Sequence, residues 1–243
     1  MRFVTIAQPR TGTTVFRELL NQNRSIHAYG EAFHPKFFEW GWYSYLLPTV
    51  LQESSALLPT NWERHIAPYL NSLFEAKEKA PITAVGIDVK IPQARLIYAL
   101  PEALKQCGAG VLHLRRKNTL AAIVSYKLAM HRSGGRAHGT QPAKSEPVRL
   151  DLNWLKLRIA EFEQQDEMIK CTYRNRPYLE LFYEEVIGDV GWRRTCVRLS
   201  EFLETEIRGH FAPKLTKQNS SNVAELIVNA DEVRQHFPQF FAP

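Results

Sequence analysis

Side chains that bind anions, together with a glycine, lie close to one another near the start of the chain. Arg10 offers a full positive charge, Gly12 lets the backbone approach a ligand closely, and neighbouring threonine hydroxyls can donate hydrogen bonds. A helix that begins here adds unpaired backbone N–H groups and the positive end of its dipole. We call this segment the cradle loop; its residues are Pro9, Arg10, Thr11, Gly12, Thr13 and Thr14. The pattern predicts an anion-binding site, although a threonine-capped helix start has the same local sequence.

Three consecutive cations, Arg115, Arg116 and Lys117, follow a second apolar run, and Ser125 lies further along the next helical pattern. In open α/β sheets, ligands bind outside the carboxyl ends of the strands, and a phosphate suits both cations and a hydroxyl. A solvated run of exposed charges would have the same composition. Together with the cradle loop, however, the cluster predicts two anion sites at neighbouring strand ends. A ligand that carries phosphate groups at both ends would match them.

The elements that must position these residues follow an alternating pattern. Short apolar runs at 3–7, 84–91, 110–114 and 178–183 predict strands, and apolar residues at helical spacing follow them, as over 119–131. Alternation of strand and helix favours an α/β fold in which helices cover both faces of a mainly parallel sheet. Length and composition predict one domain over the whole chain.

Three segments depart from this alternation. Residues 25–40 have no clear period and are interpreted as irregular. A region near 40–80, rich in aromatic residues and interrupted by prolines, predicts an insert of short helices. Its aromatic rings either line a pocket for a substrate or form the insert's own core. The rings considered are Phe37, Phe38, Trp40, Trp42, Tyr43 and Tyr45. Residues 133–148 have almost no apolar anchor and predict a mobile loop that acts as a lid.

Composition limits the class of protein and of partner. The chain has 243 residues, of which 44% are hydrophobic and 23% charged, and its net charge of +6 favours anionic ligands. Cys107, Cys171 and Cys196 are widely spaced, so neither a disulfide framework nor a zinc site is predicted. The apolar start at 3–7 is too short for a signal peptide or a membrane span. We therefore expect a cytoplasmic protein without a transmembrane segment.

Several segments resemble motifs of the sulfotransferases that use 3′-phosphoadenosine 5′-phosphosulfate (PAPS). Residues 8–14 (QPRTGTT) resemble the loop that binds the 5′-phosphosulfate, in the arginine version of bacterial carbohydrate enzymes. Residues 113–118 (HLRRKN), with 124–125 (VS), resemble the motif that binds the 3′-phosphate. Residues 178–186 and 199–203 look like a late strand and helix of the same fold. The resemblance covers the chain in pieces from end to end and is most specific in the first two motifs.

The resemblance implies a P-loop-like sulfotransferase fold and transfer of a sulfonate group from PAPS. The acceptor would be a hydroxyl of a small, carbohydrate-like molecule, such as a sugar or a glycolipid. The transfer is expected to be an in-line displacement, in which Arg10, Thr13 and Thr14 stabilise charge on the leaving phosphate oxygen. No carboxylate cluster in the sequence suggests a metal ion, and none is expected.

The resemblance also points to a general base between residues 27 and 34. Carbohydrate sulfotransferases use a glutamate from this segment, which corresponds to Glu31 here. His34 and His27 are alternatives, because the steroid and phenol enzymes of the same fold use a histidine, whose pKa suits a general base. A loop side chain exposed to water would also explain each of these residues.

The resemblance implies a PAPS-binding set that joins both motifs to a loop near the C-terminus. Its members are Arg10, Thr11, Gly12, Thr13, Thr14, Arg115, Arg116, Ser125 and Lys217. The family places a cation before the serine at a spacing that Lys117 meets and Arg116 misses by one residue, so the choice of cation stays open. Lys90, at the end of a predicted strand, could reach the rim of the site but is expected to face solvent.

Two other functions fit part of the pattern. A nucleotide-dependent small-molecule kinase shares a strand, loop and helix phosphate site, but the cradle loop lacks the Walker lysine and no magnesium-binding acid is evident. A basic nucleic-acid-binding module would spread its cations along a surface, whereas here they gather at two predicted strand ends. We therefore expect a small-molecule acceptor and no nucleic acid partner. The sequence leaves the acceptor's identity and a homodimer open.

Overall fold

The computed structural model describes residues 1–35, 39–77, 81–131, 146–208, 210, 212–213 and 222–241. Within these residues, five strands form one parallel sheet in the order β2-β3-β1-β4-β5. The strands are β1 (Arg2–Ala7), β2 (Ile26–Glu31), β3 (Ala84–Lys90), β4 (Gly110–Arg115) and β5 (Tyr178–Phe182). The helices are α1 (Thr13–Leu20), α2 (Trp42–Gln52), α3 (Glu63–Glu75), α4 (Ile91–Leu96), α5 (Leu100–Gln106), α6 (Thr119–His131), α7 (Leu152–Tyr173), α8 (Tyr183–Val186), α9 (Asp189–Leu203) and α10 (Ala230–His236). The predicted α/β fold with a parallel sheet is confirmed.

Helices cover both faces of the sheet, because its central strands are apolar on both sides. In β1, Val4 and Ile6 are fully buried in a cluster with residues of α2, α3 and α5. The alternate residues Phe3 and Ala7 are also fully buried, in a second cluster with residues of α1 and α9. Such two-sided burial is the usual environment of a parallel sheet and explains why these strands read as apolar runs.

The register of the strands brings the predicted anion sites to one edge of the sheet. Ala7, the last residue of β1, pairs with Lys90 on β3 and with Leu114 on β4. Arg115, the last residue of β4, pairs with Phe182 on β5. The cradle loop, the end of β3 and the cation cluster after β4 therefore all lie at the carboxyl ends of the strands, on the same side of the sheet.

The prediction that residues 25–40 are irregular was wrong for the strand β2. This strand lies at the edge of the sheet and pairs with β3, with an irregular register between Ala28 and Glu31. Only part of it is apolar, since His27 and Gly30 interrupt the pattern. Pairing with a neighbouring strand, rather than the local sequence, makes this segment extended.

The aromatic insert forms short helices as predicted, and many of its rings build a core. Trp42 and Tyr69 are almost fully buried, and their ring centroids lie 5.2 Å apart. Trp62 contacts Trp42 at the same centroid distance of 5.2 Å. The Tyr69 hydroxyl donates a hydrogen bond to the carbonyl oxygen of Ala32 at 3.1 Å. The insert is thereby tied to the residue that follows β2.

The mobile loop predicted over 133–148 lies mostly outside the described residues. At its described end, Val148 pairs with Ile227, and Val148 N–H donates to the carbonyl oxygen of Leu226 at 3.0 Å. No helix in the part of the chain that the structure describes is both long and apolar enough to cross a membrane.

Candidate active site

The cradle loop connects β1 to α1 through two residues with left-handed backbone conformations. Arg10 has a φ of 68° and Gly12 a φ of 88°. Turns of this kind direct backbone N–H groups toward one side, which is typical of concavities that bind anions. A left-handed conformation costs energy at a non-glycine residue, and such strain clusters at functional sites. The backbone at Arg10 therefore fits an anion-binding role.

Two of the three threonines in the cradle loop are buried. Thr11 is 1% exposed, and its hydroxyl has no hydrogen-bond partner among the described residues. Thr13 is the first residue of α1, where the backbone N–H has no partner within the helix. A buried hydroxyl without a partner is costly unless a ligand or a water completes it. Thr11 and Thr13 thus offer donors to a polar ligand at the start of α1.

Gly12 leaves room for the ring of Tyr183, a residue that no local sequence pattern indicated. A Cβ atom on Gly12 would lie 2.2 Å from Cε2 of Tyr183, the first residue of α8. The Arg116 guanidinium lies over the same ring, 4.7 Å from its centroid. Burial raises the pKa of the Tyr183 hydroxyl, although the charge of Arg116 opposes that rise. The Tyr183 ring therefore contacts both the cradle loop and Arg116.

A side-chain contact joins the two predicted anion sites directly. Arg10 Nε donates a hydrogen bond to Ser125 Oγ on α6 at 3.4 Å. These residues come from the two different sequence motifs and are brought together because β1 and β4 are neighbours in the sheet. The structure thus combines the cradle loop and α6 into one site.

Lys90 belongs to this site, and the expectation that it faces solvent was wrong. Its side chain is 11% exposed, and Lys90 Nζ donates a hydrogen bond to Thr13 Oγ1. Lys90 Nζ also lies 3.7 Å from Glu31 Oε1. The register that pairs Ala7 with Lys90 places this ammonium beside the cradle loop. A cation therefore stands next to the first residue of α1, although the loop itself has no lysine.

Of the three candidate bases, Glu31 is linked to the cradle loop by Lys90, which contacts both the Glu31 carboxylate and the Thr13 hydroxyl. Glu31 ends β2 and is 30% exposed at its side chain. His34 is partly buried, and its backbone N–H donates to the Glu31 carbonyl oxygen at 3.1 Å. His27 lies near the amino end of β2, where it pairs with Val85. Burial, together with the charge of Lys77, lowers the pKa of His27.

A buried ion pair lies beside Glu31 and Lys90. Asp88, on β3, is 2% exposed at its side chain, and its Oδ2 accepts a hydrogen bond from Arg17 NH1 on α1 at 3.3 Å. Burial raises the pKa of Asp88 to about 6; the charges of Lys90 and Arg17 oppose the rise, and Glu31 adds to it. Two acids and two cations therefore form one compact group at this end of the sheet.

The three cations after β4 have different partners. Arg115 is held by Glu180 at 2.8 Å, by Asp166 at 3.0 Å and by Glu167 at 3.7 Å. Burial by itself would lower the pKa of Arg115, but the hydrogen bonds and charges of Glu180 and Asp166 outweigh it and raise the pKa. The Arg115 guanidinium thus ties β4 to α7 and β5.

Arg116 and Lys117 differ in their exposure and in their acidic partners. Lys117 Nζ lies 2.7 Å from Glu185 Oε1, and the side chain is 55% exposed. Arg116 is 14% exposed; its Nε lies 3.8 Å from Glu184 Oε1 and has no hydrogen-bond partner among the described residues. Of the three cations, Arg116 therefore keeps a buried donor for a further acceptor.

The ring of Trp40 lies close to the backbone just before Glu31. A Cβ atom on Gly30, the residue before Glu31, would lie 3.4 Å from the edge of the Trp40 ring. Trp40 also packs on Tyr29, with ring centroids 5.3 Å apart. Trp42, by contrast, is fully buried in the core of the insert. Of the predicted aromatic residues that the structure describes, Trp42 therefore belongs to the core and Trp40 lies near Glu31.

Some of the predicted residues lie outside the described part of the chain. They are Phe37, Phe38 and Lys217, together with residues 133–145 of the predicted lid. Their predicted roles stay predictions. Among the described residues, no group of three or more histidine, cysteine, aspartate or glutamate side chains could hold a metal ion.

Comparisons with known proteins find similarity among solved structures. No protein-family model matches this sequence, and no curated protein matches it. Among solved structures, the chain is similar to a sulfotransferase from Alicyclobacillus acidocaldarius, with 13% sequence identity and a TM-score of 0.45. The matched region covers 99% of this chain and 92% of that chain. The chemistry of the described residues therefore has to identify the function.

Proposed function

We propose that this chain is a sulfotransferase that moves a sulfonate group from PAPS to a hydroxyl of a small, carbohydrate-like acceptor. The observation that carries the proposal is the hydrogen bond from Arg10 to Ser125, which joins two anion-binding motifs into one site. PAPS has a phosphosulfate at one end and a 3′-phosphate at the other, so it needs two such motifs. A ligand with a single phosphate group would occupy only one of the two motifs.

The residues present fit the two charged ends of PAPS. At the phosphosulfate end, the Thr11 hydroxyl, which has no partner in the described part of the chain, and the Lys90 ammonium lie beside the start of α1. At the 3′-phosphate end, Arg116 has a buried Nε without a hydrogen-bond partner in the described residues. Arg115 is held by three carboxylates and Lys117 by Glu185, so Arg116 is our choice for the cation that binds the 3′-phosphate.

The chain's own residues would then do three things during transfer. PAPS supplies the sulfonate: its bond from sulfur to the 5′-phosphate oxygen breaks as a bond to the acceptor oxygen forms. Arg10, Thr13 and Thr14 stabilise the negative charge that stays on the phosphate. Glu31 accepts the proton of the acceptor hydroxyl, and Trp40 offers a flat apolar surface for a sugar ring beside it.

Calorimetry with two nucleotides tests this function. Adenosine 3′,5′-bisphosphate should bind tightly, whereas ATP with magnesium should bind weakly, because the cradle loop lacks a Walker lysine and the described residues offer no magnesium site. Release of adenosine 3′,5′-bisphosphate from PAPS, followed with a panel of simple sugars and with water as acceptors, would then identify the acceptor class. Tight binding of ATP with magnesium and none of the bisphosphate would favour a kinase instead.

A further inference from the structure

Glu31 lies at the irregular end of β2, and this irregularity decides where its carboxylate points. The regular pairing of β2 with β3 is interrupted between Ala28 and Glu31, where the register shifts. Beyond the shift, Glu31 pairs with Asp88, and the N–H of Ala32 donates to the Asp88 carbonyl oxygen at 3.1 Å. Bulges of this kind redirect side chains and are frequent beside active sites. A contact that stabilises the bulge therefore also stabilises the position of Glu31.

The Arg17–Asp88 ion pair contacts the bulge from α1 and from β3. Asp88 lies directly opposite Glu31, and Arg17 NH1 reaches across from α1 to Asp88 Oδ2 at 3.3 Å. A Cβ atom on Gly30 would lie 2.7 Å from Arg17 NH1, so the guanidinium passes against the backbone of β2 just before Glu31. Because Asp88 is almost fully buried, water screens its attraction to Arg17 less than it screens an exposed ion pair.

The charges around the bulge form a connected set. The groups that interact electrostatically with Asp88 are Lys90 on its own strand, Arg17 on α1 and Glu31 on β2. Lys90 is shared between Glu31 and Thr13, so it links the bulge to the cradle loop. Removal of the Asp88 charge would leave Arg17 without its carboxylate partner and would change the field at Glu31.

We propose that Asp88 and Arg17 are positioning residues that hold the bulge of β2 and thereby keep Glu31 facing Lys90 and the cradle loop. The proposal rests on the sulfotransferase function, in which Glu31 accepts the acceptor's proton. Asp88 and Arg17 act through Glu31, and the nucleotide is bound by other residues.

A double-mutant cycle tests whether the pair acts through Glu31. PAPS turnover is measured as release of adenosine 3′,5′-bisphosphate with water as the acceptor. Asp88→Asn keeps the shape of the side chain and should lower turnover roughly 10- to 100-fold, as expected for a misplaced catalytic group. In the Glu31→Gln background the same substitution should have almost no further effect, because residues that act as a unit are not additive. Arg17→Gln should behave like Asp88→Asn, and Arg17→Lys should recover part of the turnover.

Two controls separate positioning from loss of stability and from loss of the function itself. Leu104→Ala, in α5, removes a fully buried side chain away from the pair and should keep turnover per folded molecule. Each variant is also titrated with adenosine 3′,5′-bisphosphate, and its affinity should change less than threefold. If Asp88→Asn does not fold, Arg17→Gln serves in the same cycle.

The outcomes distinguish the two proposals. Additive losses in the double variant, or a parallel loss of bisphosphate affinity, would overturn the positioning role while the sulfotransferase function stands. Absence of bisphosphate binding by the unmodified protein would overturn the sulfotransferase function. Non-additive losses with retained affinity would establish Asp88 and Arg17 as positioning residues.

Discussion

Lys90 Nζ donates a hydrogen bond to Thr13 Oγ1, and this contact joins the end of β3 to the first residue of α1. An ammonium group can only donate, so the Thr13 oxygen accepts and its own hydrogen remains available to another acceptor. The same ammonium lies 3.7 Å from Glu31 Oε1. Lys90 therefore connects the proposed general base to the cradle loop and leaves the Thr13 hydroxyl hydrogen for a further acceptor.

Replacement of Lys90 by methionine should impair turnover and change the titration of Asp88. The charge of Lys90 lowers the pKa of Asp88, so its removal should raise that pKa above the present value of about 6. Carboxyl resonances followed by NMR against pH would measure the change, with Asp88→Asn used to assign the signal. An Asp88 titration that does not move in Lys90→Met would show that the two charges are not coupled.

Adenosine 3′,5′-bisphosphate should raise the melting temperature of the protein. At a ligand concentration near a hundred times Kd, linkage adds about 2.7 kcal/mol, which corresponds to roughly 5 to 10 °C for a chain of this size. Arg10→Gln and Arg116→Gln should each reduce the shift, because each removes a donor to one phosphate end. Arg64→Gln, which breaks an exposed ion pair with Glu53, is the matched control and should keep the full shift. A full shift in both Arg10→Gln and Arg116→Gln would mean that the sites are misplaced.

Gly12→Ala should cost more stability than Gly108→Ala, although both glycines have a positive φ. An alanine at Gly108, with a φ of 63°, would meet no atom within 4 Å, so only backbone strain on the order of 1 kcal/mol is expected. At Gly12 the new Cβ would also overlap the Tyr183 ring, which should bring the loss to on the order of 2 to 4 kcal/mol. Urea unfolding measures both losses. Equal losses at the two positions would show that the ring moves aside without cost.

The sequence predicted those parts of the fold and of the site that depend on local pattern. β1 with the cradle loop, and β4 with α6, are encoded in contiguous residues, and their predicted bounds are close to those observed. β2 was missed because its extended shape depends on pairing with β3. Lys90 is buried because β3 pairs with β1 in a register that places Lys90 beside Ala7. Pairing between distant strands cannot be predicted from a local sequence pattern. Likewise, the ring of Tyr183 reaches Gly12 only through the order of strands in the sheet.

Asp88 should give the protein a measurable pH dependence of stability. Its pKa in the folded protein is about 6, above its ordinary value of 3.8, so the folded state binds the proton more tightly than the unfolded state. The contribution of Asp88 to the free energy of unfolding should therefore increase by on the order of 2 to 3 kcal/mol as the pH falls from about 6 toward 4. The free energy of unfolding of wild type minus that of Asp88→Asn, measured in urea at several pH values, should increase over this range. Leu104→Ala, which removes no titratable group, is the control and should lower stability without changing the shape of the pH dependence. Parallel curves for wild type and Asp88→Asn would contradict the raised pKa.

Glu31→Gln should lower PAPS turnover by roughly 10² to 10⁴ while it leaves the affinity for adenosine 3′,5′-bisphosphate almost unchanged. Glutamine keeps the size of the side chain and a polar oxygen near Lys90, but it cannot take up the acceptor's proton. A variant whose fold or cradle is damaged would lose turnover and affinity together, so the two measurements separate a catalytic role from a structural one.

The matched controls for Glu31 are the two histidines of the same segment. His27→Asn should retain turnover, because His27 pairs with Val85 toward the amino end of β2, whereas Glu31 reaches Lys90 at the carboxyl edge. His34→Asn should retain most of it, since the His34 backbone N–H bonds to the Glu31 carbonyl oxygen, whereas Lys90 lies beside the Glu31 carboxylate. Near-normal turnover in Glu31→Gln, with loss of turnover in either histidine variant, would make that histidine the base and would remove Glu31 from the proposed mechanism.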